Sequence, residues 1–124
     1  MHSAAKAYGA VSQAGLPPRE LEAHVLLKAA TRIQQVLDEW DVRKAEFEPV
    51  LLNNRKLWTV LVSSVTDESN PLPRAIKQNV ANLAIFIFKR TLELTQEPDP
   101  RRADVLVQIN RNIAEGLRAR AEAA

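Results

Sequence analysis

Catalysis or metal binding needs a nucleophile, a base or a set of ligands brought to one point, and this sequence holds few residues from which to build one. His24 is the only internal histidine, and Glu20 lies four residues before it, a spacing that reads as a helix-surface pair rather than a general base. His2 lies in the N-terminal arm. The chain has no cysteine, which excludes a thiol nucleophile, a disulfide and thiolate ligands, so no zinc site is expected. Glu93 and Glu97 share a helical face, but like charges at that spacing mark solvent more readily than a general acid and base. Gly9, Gly15 and Gly116 stand apart from one another, so no glycine-rich phosphate loop exists. The expectation is a protein without catalytic activity, cofactor or metal.

What remains is chemistry for recognition. Arg55 and Lys56 lie beside Trp58, Arg74 is spaced to share a face with Lys77, and Lys89 adjoins Arg90, so a basic strip for nucleic acid is conceivable. Against it, 17 Lys plus Arg are offset by 15 Asp plus Glu, and a net charge of +2 is a small surplus rather than a polycation. Direct nucleic-acid binding is therefore not expected. The carboxamides form a second group. Asn53 and Asn54, Asn79 and Asn82, and Asn110 and Asn112 fall where a helix prefers Ala or Leu, because Asn competes for backbone hydrogen bonds. Such residues either tie the fold together or face the backbone and polar side chains of a partner.

The elements that must position these residues are delimited by proline, which is tolerated in the first turn of a helix but not in its interior. All seven prolines fall at four boundaries. Pro17 and Pro18 precede a segment in which Ala23, Leu26, Ala30, Ile33, Leu37 and Trp40 recur at spacings of three and four, one helical stripe. Pro49 stands near the start of a second helix reaching about Val65, with Leu57, Leu61 and Val65 on one side and Trp58 and Val62 beside them. The stretch from Thr66 to Pro73 is a connection, with Asn70 placed to cap the third helix, which runs from about Pro73 to Thr95. Asp99, between Pro98 and Pro100, caps the last helix, which turns Leu106, Ile109, Ile113 and Leu117 inward.

With only three glycines and no alternating run, the fold class expected is all-α, a compact antiparallel bundle of four main helices plus a short N-terminal helix through Ala4, Tyr8 and Val11. Residues 1–16 read as a mobile or conditional arm and residues 17–124 as a single bundle domain. The arm lacks the apolar run of a secretory signal, and the uncharged apolar stretch from Gln78 to Phe88 is too short to cross a bilayer. A cytoplasmic protein without membrane insertion is expected.

One segment does not fit an outer helix. Leu83, Ala84, Ile85, Phe86, Ile87 and Phe88 advance about 100° each and pass around the helix more than once. Two arrangements satisfy this. In the first, Leu72, Ile76, Val80, Leu83 and Ile87 meet one set of neighbours, Ile85, Phe88 and Leu92 meet another, and all are internal. In the second, one side lines a groove that receives an amphipathic helix from another protein, with Phe86 or Phe88 as anchors. Trp40 and Trp58 face the same choice between core and interface.

In their order and spacing, PRELEAHVLLKAA from Pro18 to Ala30, NNRKLWTVLVSSVTDESNPLP from Asn53 to Pro73, IKQNVANL from Ile76 to Leu83 and INRNIAEGL from Ile109 to Leu117 resemble the FlaF family of flagellar biosynthesis regulators. The resemblance implies a small cytoplasmic protein of flagellated bacteria that is needed for flagellin to be made and exported, similar in role to flagellin secretion chaperones and acting alongside FlbT, a regulator of flagellin translation. Under it, the apolar faces of flagellin's terminal helices become the ligand of the surplus apolar helix. Trp58, Ile85, Phe86 and Phe88 are then candidate anchors, and Arg55, Asn79, Asn82 and Asn110 candidate polar clamps. The arm, with Tyr8, lies over the empty groove. The alternative is a post-transcriptional regulator that touches flagellin mRNA directly or through FlbT. The oligomeric state of the free protein is left open.

Overall fold

The computed structural model describes residues 18–123, and all of the long elements among them are helices. Helix α1 spans Pro18–Asp38, a single turn α2 spans Trp40–Arg43, a 3-10 turn covers Lys44–Glu46, and α3 spans Phe47–Thr66, α4 Arg74–Gln96 and α5 Pro100–Ala123. The N-terminal arm, the short helix expected through Ala4, Tyr8 and Val11, and Tyr8 itself lie outside the described residues.

The order of contacts follows from which helices bury small residues. Alpha-helix α1 presents Ala23, Ala29 and Ala30, and α5 presents Ala103 and Ala114; with so little bulk between them, the two pack closely along their length. They run antiparallel, since Arg118 pairs with Glu20 at 3.3 Å while Asn110 reaches the backbone of Leu26. Helix α3 packs on α1, and α4 lies mainly on α3 with a thinner seam to α5. The common core contains Leu26, Ile33, Leu51, Trp58, Leu61, Ile87, Leu94 and Leu106.

Asn110 joins three helices at the centre. Its side-chain NH₂ donates to Leu26 O at 3.1 Å and to Asn54 Oδ1 at 2.8 Å, and its Oδ1 accepts the Trp58 indole N–H at 2.8 Å. All three side chains are fully buried. A hydrogen bond in such a dry setting is strengthened, and losing one partner strands another, so this cluster fixes the register of α5 on α1 and α3. Among the described residues Glu22 is the charged exception in the interior, 3% exposed with Arg19 at 2.9 Å. Burial pushes its carboxyl above the ordinary value, and the Arg19 charge only partly offsets this.

Two expected details change. The first helix ends at Asp38 rather than running through Trp40, because the chain turns there and the Trp40 ring meets Phe47 edge-on at 5.0 Å. Asn70 does not cap α4. Its Oδ1 accepts the Leu72 N–H and its NH₂ donates to Ser64 O, so it fastens the loop to the end of α3. Asp99 caps α5 as expected, its Oδ1 accepting the Arg101 N–H at 3.0 Å.

Candidate functional site

Helix α4 buries Val80, Ala84, Ile87, Thr91 and Leu94, a stripe at spacings of three and four directed at α3 and the core. The apolar residues left over lie on its two flanks and meet different fates.

On one flank Phe86 is half-buried, and the Arg90 guanidinium sits 5.0 Å from its ring centroid. Arg90 Nη1 donates to Arg102 O at 2.8 Å, and Glu93 pairs with Arg90 at 3.4 Å and Arg102 at 3.0 Å. These groups close the thin seam between α4 and the start of α5, and they cover the phenyl ring in doing so. Asn79 and Asn82 share this flank by their spacing from Phe86. Both are exposed, and the Asn82 Oδ1 accepts a bond from Gln78 Nε2 at 3.0 Å.

On the other flank, among the described residues, two large apolar side chains stand in the open. Ile85 is 67% exposed and Leu92 55%, and half-buried Phe88 lies between them on the same side. Beside this stripe Arg74 and Lys89 are exposed, whereas Lys77 reaches back to donate to Asp67 O at 3.0 Å. The Asp67 carboxyl is held below its ordinary value, first by the Ser69 hydroxyl and then by the Ser69 N–H, so the loop that starts α4 is braced at neutral pH.

The candidate anchors therefore separate. Ile85 is exposed, Phe88 is half-buried on the same side of α4, and Phe86 is half-buried on the flank that Arg90 covers. Trp58 and Asn110 are corrected from partner-facing residues to interior ones: both are 0% exposed and hydrogen-bonded to each other. Arg55 is exposed on α3. The expected groove is instead a stripe on the outward side of a helix. Leu92 is the member that the list of anchors lacked, although its spacing of seven from Ile85 places it on the same face. Among the described residues no cluster of His, Cys, Asp or Glu is arranged to hold a metal ion, and no helix is long and apolar enough to cross a membrane.

Fold and surface together define a small all-α bundle with one under-covered helix. The chain belongs to the FlaF family: the family model described as Flagellar protein FlaF matches residues 4–117. It is thus a flagellar protein. Comparison with curated proteins and with solved structures finds no match.

Proposed function

We propose that this FlaF protein is a non-catalytic, cytoplasmic flagellin-binding export chaperone that covers the amphipathic terminal helices of flagellin and so supports flagellin synthesis and secretion, working alongside FlbT. The observation that carries this reading is the exposure of Ile85 and Leu92 on α4, with half-buried Phe88 between them. Amphipathic helices that pair only within a filament need apolar cover beforehand, and an uncovered helical stripe offers it.

The magnitudes suit a temporary complex. Fully burying an Ile or Leu side chain is worth about 1.5 to 3 kcal/mol, so the stripe offers a few such increments against the cost of immobilising two molecules. Affinity then rests on few anchors, and release is fast enough for export. Direct contact with flagellin mRNA is the weaker reading, because Trp58, the aromatic neighbour of Arg55 and Lys56, is sealed in the core and offers no face for base stacking.

Co-purification with flagellin tests the proposal. Ile85→Asp and Leu92→Asp should each lose flagellin while circular dichroism stays helical, because both side chains are exposed. Retention of flagellin by the folded double variant contradicts it. A complex that instead dissolves steeply with salt and depends on Arg55 and Lys56 would favour RNA.

A further inference from the structure

The open side of α4 has a register and a charge as well as grease. Arg74, Gln78, Ala81, Ile85, Phe88 and Leu92 follow one another at spacings of four, three, four, three and four. That alternation keeps a seam of side chains on one side of a helix and in step with a second helix crossing at about 20°. The seam runs for roughly 27 Å at a rise of about 1.5 Å per residue, the length of a five-turn partner. Between Arg74 and Leu92 α4 contains no acidic residue, while Arg74 and Lys89 stand exposed at and beside the seam. The first carboxylate, Glu93, is engaged by Arg90 and Arg102 on the opposite flank.

From this juxtaposition we propose that the seam of α4 accepts a single amphipathic helix in coiled-coil register whose apolar stripe is bordered by Asp or Glu, placed to meet Lys89 and Arg74. The inference rests on the reading of this face as a docking site and adds the partner's charge and register to it. A second copy of the chain is a poor occupant. Whether two α4 seams met parallel or antiparallel, basic side chains would oppose basic ones with no acid between Arg74 and Leu92 to relieve them. An acidic border on the partner turns the same two cations into steering and register groups.

The test uses the full chain and two fluorescent helical peptides about three heptads long, with Leu at the a and d positions and either Glu or Lys at e and g, whose like charges discourage each from pairing with itself. Fluorescence anisotropy at low salt should show the Glu-bordered peptide binding about tenfold tighter than the Lys-bordered one, a gap that narrows as salt is raised. Arg74→Glu combined with Lys89→Glu should reverse the preference, and Ile85→Ser combined with Leu92→Ser should remove binding of both, with circular dichroism unchanged in each case. Equal affinity for the two peptides overturns the proposal. So does self-association lost in the Ile85→Ser, Leu92→Ser variant, which would assign the seam to a second copy, and so does binding to phosphatidylglycerol vesicles in place of both peptides. Discrimination between the peptides without capture of flagellin leaves the seam's specificity standing and removes flagellin as its client. Flagellin captured equally well by the charge-reversed variant does the converse.

Discussion

Helices α4 and α5 are nearly equal in length, 23 and 24 residues, yet the bundle uses them differently. In α5 the residues Ala103, Leu106, Val107, Asn110, Ala114 and Leu117 are buried in one stripe, Ile109 and Ile113 are half-buried beside it, and charge occupies the outside. In α4 a comparable stripe is buried, and large apolar residues still remain on the outside. The contrast lies in neighbours. Helix α5 rests along α1 and receives Asn54 and Trp58 from α3, whereas α4 leans on α3 and touches α5 through little more than the Phe86, Arg90 and Arg102 cluster. A helix with one main neighbour can bury only one face. Residues that make α5 apolar hold the bundle together, whereas Ile85 and Leu92 on α4 stand exposed.

The comparison breaks most visibly at Asn110. Replacing it by Ala strands the Trp58 N–H and the Asn54 carbonyl in a dry interior, and the expected loss is about 3 kcal/mol in chemical denaturation, with a red shift of tryptophan emission. A variant as stable as the parent would show that α5 is not locked as described. On α4 the expectation inverts. Leu92→Asp should change stability by no more than about 0.5 kcal/mol yet weaken flagellin capture by about 2 kcal/mol, some thirtyfold. Phe86→Ala, on the covered flank, should lower stability by about 1 kcal/mol through lost packing and the Arg90 contact, and leave flagellin capture nearly intact.

The smallest effect belongs to Glu22. Burial raises its folded-state value, so the ionised form is the disfavoured one in the fold. The cost is absent below the ordinary carboxylate value and grows as pH rises through the raised folded value. Glu22→Gln should therefore gain stability relative to the parent as pH rises and match it in acid, measured by thermal unfolding across pH. A gap that widens toward acid would contradict the assignment.

Much of this fold was legible because proline and spacing act locally. Pro98, Asp99 and Pro100 place the start of α5 with its cap, and the spacing of three and four from Leu106 to Leu117 places its inward face. The turn after Asp38 was not legible, since Asp38, Glu39 and Trp40 contain no breaker and the bend is set by the Trp40 contact with Phe47. The same limit governed the site. Spacing alone separates Phe86 from the Ile85 and Leu92 face, but which flank is covered depends on where the α5 backbone passes Arg90. Trp58 and Asn110 lie 52 residues apart in the chain, and no local pattern marks either as the other's partner.

Hydrogen exchange of α4, with flagellin absent and present, tests the central claim most directly. Covering the open stripe should slow exchange in peptides spanning Ile85 to Leu92 and leave the α5 stretch around Asn110, already closed in the free protein, unchanged. Protection confined to α5 or α1, with α4 exchanging as before, would contradict the account.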